Sequence, residues 1–170
     1  MALILTEEQQ MLADSAKGFL SANAAVAELR KLRDEKSPDG YSKALWAKFA
    51  EMGWTGMVIP EKYGGLDFGY VGAGLICEQM GRNLTASPYL STAVMAATAI
   101  RRGGSAAQQD RWLPAIAAGT ALMTVAVDEG RKHNPAATAL DAVKQGNGFR
   151  LDGAKTFVAD GHVADALIVA

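Results

Sequence analysis

The 170-residue sequence predicts an α+β chain, with an N-terminal all-α helical-bundle domain followed by an incomplete antiparallel β-barrel domain. Three observations predict this. Residues before Thr120 carry apolar positions at helical spacing, punctuated by capping motifs. After Thr120 the period shortens and strand-like runs alternate with tight turns. Those runs number roughly four or five, too few to close a barrel or to cover both faces of a sheet. Helices followed by strands place the boundary near residue 120, giving 1–119 as the helical domain and 120–170 as the first part of a β-barrel domain.

The elements follow in order. "TEEQ" at Thr6–Gln9 is a capping box, and Met11, Leu12, Ala16, Phe19 and Leu20 then fall on one helical face. Leu29 and Leu32 continue after an alanine-rich stretch, and "KSPDG" at Lys36–Gly40 is a loop. A second helix spans about Ser42–Met52, with Leu45, Trp46, Phe49 and Met52 inward and Gly53 closing it. In the connection "WTGMVIPEKYGGLDFGY", Gly64 and Gly65 read as a tight structural turn, because a phosphate cradle needs the GK[ST] ending that is missing here. A third helix is expected over Asp67–Met80, with Val71, Leu75, Ile76 and Met80 inward. A fourth begins at "SP", with Ser87 as cap and Pro88 in the first turn. "SAAQ" at Ser105–Gln108 is another capping box, and Pro114 is expected to kink or restart its helix. "ALMTVAV", "TALDAVKQ", "FRLDGAKTFV" and "ADALIVA" read as strands, with Gly146-Asn147-Gly148 and Asp152-Gly153 as turns. The last run is apolar and reaches the final residue, which is read as a domain stopping halfway.

A hydrophobic fraction of 49% with 21% charged residues is that of an ordinary globular chain. The net charge of −1 argues against a nucleic-acid groove or a membrane-surface role, both of which need clustered Lys and Arg. The run "RKLR" at Arg30–Arg33 reads as a solvated helix end, since Asp34 and Glu35 follow it. The apolar start "MALIL" has no charged leader and is too short for a signal peptide. A single cysteine, Cys77, forms no internal disulfide and reads as a buried core thiol, so a reducing cytoplasm is the expected location. His133 and His162 sit in separate loops, and no metal site is expected.

The segments "LTEEQQML", "LWAKFAEMGWTGMVIPEKYGGLDFG", "CEQMGRNLTASPYL", "GSAAQQDRWLPAIAAGTALMTVAVDE" and "FRLDGAKTFVADGHVADALIVA", in this order, resemble the acyl-CoA dehydrogenases. The resemblance covers essentially the whole chain. It implies an N-terminal helical domain and about half of a middle β-barrel domain, with that family's C-terminal four-helix domain outside these residues. It also implies FAD as cofactor, an acyl-CoA as substrate, an electron-transfer acceptor and a homo- or hetero-oligomer. The chemistry implied is removal of an α-proton by a carboxylate while a β-hydride passes to the flavin. That carboxylate belongs to the family's C-terminal domain, so none of Glu51, Glu61, Glu78 or Glu129 is expected to be the base.

What the resemblance places here is part of a flavin wall. The family's Thr-Glu-Pro-type turn corresponds to Val127, Asp128 and Glu129, followed by Gly130, with Asp128 in place of the threonine. The glycine-serine-aspartate run that usually follows is replaced by "RKHNPAA". The Trp-Ile-Thr/Ser segment corresponds to Phe157, Val158 and Ala159, keeping the aromatic and losing the hydroxyl. Phe157 and Val158 also read as ordinary strand core. The helix "SPYLSTAVMAATAI" matches the one lining the acyl chain, with Tyr89, Thr92, Ala93 and Met95 as candidates; internal helix packing is the other reading of each. Two alternatives accompany the dehydrogenase reading, namely a non-catalytic scaffold or partner subunit and an oxygen-using relative.

Overall fold

The computed structural model describes residues 4–170, so part of the apolar start lies outside the described residues. Six α-helices come first: α1 (Glu7–Asn23), α2 (Val26–Asp34), α3 (Lys43–Glu51), α4 (Tyr70–Asn83), α5 (Ala97–Gly103) and α6 (Ala106–Ala117). Four short strands follow: β1 (Met123–Ala126), β2 (Ala142–Gln145), β3 (Gly148–Leu151) and β4 (Ala166–Val169). The chain is thus a helical domain leading into the start of a β domain.

Both capping boxes form. The Thr6 hydroxyl accepts from the Gln9 amide while the Gln9 side chain accepts from the Thr6 amide, and Ser105 and Gln108 do the same. Each pair satisfies two backbone donors that a helix start leaves orphaned. α1 packs on α4, and Phe19, Phe49 and Trp54 form an aromatic cluster, with Phe49 and Trp54 stacked 5.2 Å apart. The Trp46 indole donates to the Gly119 carbonyl, and the Thr55 hydroxyl donates to the Ala117 carbonyl, tying α3 and its sequel to the end of α6.

The glycine pair is a turn. Gly64 has φ +79°, and a Cβ on Gly65 would overlap the Ile59 carbonyl. The amides of Gly64, Gly65, Leu66 and Asp67 all donate to backbone carbonyls within the segment, so none is free for a phosphate.

Several boundaries depart from expectation. α1 ends at Asn23, with Ala24 and Ala25 separating it from α2. Met11 is exposed, because the buried face narrows to Ala13, Ala16 and Leu20. α4 begins at Tyr70, later than expected, and its buried face is built on Gly72, Ala73, Ile76 and Met80, which leaves Val71 outside. Small residues on that face let α1 approach closely. Cys77 is half-buried, and burial pushes its thiol up. α6 runs through Pro114 without a break.

The expected fourth helix divides in two. Tyr89–Ala96 is a π-helix, continuing into α5, and the Ala97 amide reaches back to the Thr92 carbonyl. Ser87 is no cap: the helix begins after Pro88, and the Ser87 hydroxyl is buried with no partner.

The strands are shorter than expected and form two pairs. β2 and β3 make an antiparallel hairpin, with Ala142 opposite Leu151, and each of their residues is exposed. β1 and β4 pair in parallel, with Met123 opposite Ala166 and Ala126 opposite Val169. An antiparallel arrangement was expected throughout. The whole stretch from Val127 to Asp165 separates β1 from β4, and a connection of that length can cross over and return in the same direction. The Asp165 amide to the Leu122 carbonyl and the Ala170 amide to the Ala126 carbonyl extend the ladder at both ends.

Candidate functional site

β1 is the buried strand of this region, and it delivers Val127, Asp128 and Glu129 to its end. The Asp128 carboxylate takes the Asn134 amide at 3.0 Å and lies 2.9 Å from the His133 Nδ1. Those contacts, the His133 hydrogen bond first and the Asn134 amide second, hold its carboxyl below the usual carboxylate range. Glu129 accepts from the Lys155 ammonium at 2.7 Å and from the amides of Ala139 and Leu140. Its carboxyl is also held low, by Lys155 first and then by the two amides. Both carboxylates therefore serve the segment 131–140, folding it back on the end of β1.

The second predicted segment lies against the first. The Thr156 amide donates to the Asp128 carbonyl at 2.7 Å, and its hydroxyl donates to the Gly130 carbonyl at 2.9 Å. Lys155, largely buried, donates to the Val127 carbonyl as well as to Glu129. The two stretches singled out in the sequence, far apart along the chain, are thus one surface.

On that surface Phe157, Val158 and Ala159 diverge. Phe157 is 78% exposed, with φ +53°. A left-handed conformation is uncommon for an aromatic residue and ends any strand there. Phe157 is therefore not strand core. Val158 turns inward to a pocket of about 250 Å³ shared with Leu140, Leu151, Leu167 and Val169. Ala159 is exposed. Among the described residues, the amides of Phe157, Val158 and Ala159 have no hydrogen-bond acceptor.

The acyl-side candidates do not share one cavity. Tyr89, Thr92 and Ala93 are each 1% exposed and face the interior, whereas Met95 is 41% exposed. The Tyr89 hydroxyl is buried with no partner, and burial raises it strongly. Thr92 donates to the Met123 carbonyl at 2.8 Å and accepts from the Met123 amide at 3.1 Å, so its hydroxyl stands in for a neighbouring strand. A cleft of about 860 Å³ lies between α3 and residues 162–165, with Tyr41, Trp46 and Asp165 in its lining, and contains none of these candidates.

Four residues that build this surface were not singled out in the sequence: Lys155, Thr156, Asp160 and Ser91, whose hydroxyl lies 2.6 Å from the Asp160 carboxylate. The sequence hint is that Lys155 and Thr156 immediately precede, and Asp160 immediately follows, Phe157–Ala159 in "AKTFVADG". Among the described residues no group of His, Cys, Asp and Glu is arranged to hold a metal ion, and no helix is long and apolar enough to cross a membrane.

Residues 6–120 match the family model for the acyl-CoA dehydrogenase N-terminal domain. The chain is 32% identical to the acyl-CoA dehydrogenase FadE27 of Mycobacterium tuberculosis, over 99% of this chain and 44% of that protein. It is 31% identical to the cyclohex-1-ene-1-carbonyl-CoA dehydrogenase of Geobacter metallireducens, over 97% of this chain and 43% of that protein. Its fold matches a chain of the ChsE4-ChsE5 complex from Mycobacterium tuberculosis with a TM-score of 0.85 at 32% identity, covering 98% of this chain and 44% of that one. The chain spans less than half the length of the relatives it matches.

Proposed function

This chain belongs to the acyl-CoA dehydrogenase family, and from that membership we propose that it supplies the flavin-facing N-terminal part of an enzyme that dehydrogenates an acyl-CoA thioester. The observation that carries the reading is the joining of Val127–Glu129 to Phe157–Ala159 through Thr156 and Lys155. Such a surface suits FAD. Phe157 offers an exposed aromatic face, and three neighbouring amides have hydrogen to give. The Asp128 carboxylate, which would repel an electron-rich ring edge, is instead engaged by His133 and Asn134.

Bound there, FAD would supply the two-electron acceptor for a β-hydride. The chain's own part is to hold and orient. Val127, Asp128 and Glu129 would line one edge of the ring, and Phe157, Val158 and Ala159 would flank the other. Tyr89, Thr92, Ala93 and Met95 lie on the helix proposed to run beside the acyl chain. No carboxylate here is proposed as the base. Glu78 pairs with Arg82 and Glu129 with Lys155. The base, an electron-transfer acceptor and assembly into a homo- or hetero-oligomer belong to the same proposal, as does a domain division at residues 119 and 120.

The test is titration of FAD into the chain, alone and supplied with the part of a full-length relative that follows its aligned region. Quenching of flavin fluorescence and a yellow protein are expected in the supplied mixture. No uptake in either sample overturns the reading.

A second reading is favoured by Asp128 and Ala159, which stand where the family's turn and wall carry hydroxyls. The chain would then be a non-catalytic partner of a related subunit, joined through the open edge of β4. Analytical ultracentrifugation separates the two, since a colourless monomer with no affinity for such a subunit counts against the partner role.

A further inference from the structure

The π-helical segment Tyr89–Ala96 packs on β1 and hydrogen-bonds to the β region through the side chains of two adjacent residues. Thr92 grips both backbone groups of Met123, at the start of the strand that leads to Val127–Glu129. Ser91, 1% exposed, lies 2.6 Å from the Asp160 Oδ2 and 3.0 Å from the Pro88 carbonyl. A hydroxyl has one hydrogen, and the shorter, charged contact takes the larger share of it. Asp160 closes the turn carrying Phe157, Val158 and Ala159. Its φ is +54°, the Gly161 amide donates to the Val158 carbonyl, and the Val163 amide donates to the Asp160 carbonyl.

We propose that Ser91 and Asp160 are positioning residues, whose hydrogen bond holds the Phe157–Ala159 turn against the helical domain in the shape a flavin would meet. The proposal rests on the flavin reading above. Two left-handed residues, Phe157 and Asp160, bracket this turn, and such conformations persist only where neighbouring contacts over-determine them. Within the described residues the Ser91 hydroxyl is the one side-chain group from the helices that reaches Asp160. Because Thr92 is its neighbour, one short π-helical segment sets both halves of the proposed wall. π-Helical geometry is frequent where a helix must aim side chains at a site.

The experiment uses Ser91→Ala, Asp160→Ala and Asp160→Asn in the full chain. Amide hydrogen exchange is read at Gly161 and Val163, with α1 amides as internal control, and FAD affinity is read with the visible circular dichroism of the bound flavin, in the mixture supplied with the following part of a full-length relative. Loss of a hydrogen bond to a charged group should speed exchange at both amides by roughly ten- to a hundred-fold in the two alanine variants. FAD affinity should fall alongside, with an altered flavin spectrum. Asp160→Asn keeps an acceptor and a side chain that tolerates the left-handed region, so it should restore both. Unchanged exchange in Ser91→Ala overturns the clamp, whatever the flavin does. Faster exchange with unchanged flavin affinity and spectrum makes the pair merely structural and overturns its positioning role. If the unaltered chain takes up no FAD even when supplied with that part of a relative, the functional reading fails first, and altered exchange then leaves the pair structural as well.

Discussion

The helical region and the strand region of this chain are held together by different physics. Between α1 and α6 the binding is apolar, through Leu20, Phe49, Ile76, Leu113 and Ile116, all essentially excluded from water. From Val127 to Asp160 the chain is held mainly by polar clasps: Lys155 on Glu129, Thr156 on the Asp128 and Gly130 carbonyls, Ser91 on Asp160. Its hairpin is exposed on both faces, with Phe149 and Leu151 open. Burial is cooperative and insensitive to charge state, whereas clasps between carboxylates and donors are local and titrate. A surface meant to meet another molecule is better built by the second means, because its apolar groups remain available.

The largest test of that contrast is Phe49→Ala. Phe49 is fully buried and contacts Phe19 and Trp54, so truncation should cost about 3–5 kcal/mol of global stability, seen as a lowered denaturation midpoint. Thr92→Val comes next. It keeps the shape but leaves both Met123 backbone groups without their partner, at a cost of about 2 kcal/mol, with faster exchange at Met123 as its local mark.

Acid should separate the two regions. Asp128 and Glu129 have folded-state values held below the ordinary range, so their stabilising contribution is complete above about pH 5 and is lost as pH falls through the lowered values. Exchange protection at Asn134, Ala139 and Leu140 should fall in that window while α1 and α4 stay protected. Equal loss in both regions would break the comparison. The smallest expected effect is that of Phe157→Ala on stability, within about 0.5 kcal/mol because the ring is exposed, yet FAD affinity should drop. A large loss of stability would mean that the ring belongs to a core.

Legibility followed the range of the interactions. The capping boxes at Thr6 and Ser105 were readable because every partner lies within three residues, and the turn at Gly64–Gly65 because glycine alone suits it. The inward faces of α1 and α4 were only partly readable. Met11 and Val71 have the spacing of core residues but lie outside the contact between the helices. The candidate site was readable as two segments, Val127–Glu129 and Phe157–Ala159. The lysine, threonine, serine and aspartate that join and aim them have no spacing rule, since each reaches across the fold to a partner chosen by packing.

By itself the sequence determined the helix-to-strand change near Thr120, the capped starts of α1 and α6 and the residue types offered at each wall segment, all matters of local periodicity and backbone chemistry. Only the tertiary structure decided that β1 and β4 run parallel, that Tyr89–Ala96 winds as a π-helix, that Asp128 turns toward His133, and that Phe157 stands in solvent. Each of those depends on which distant groups share a neighbourhood, and contact across the fold has no signature in the order of residues along one chain.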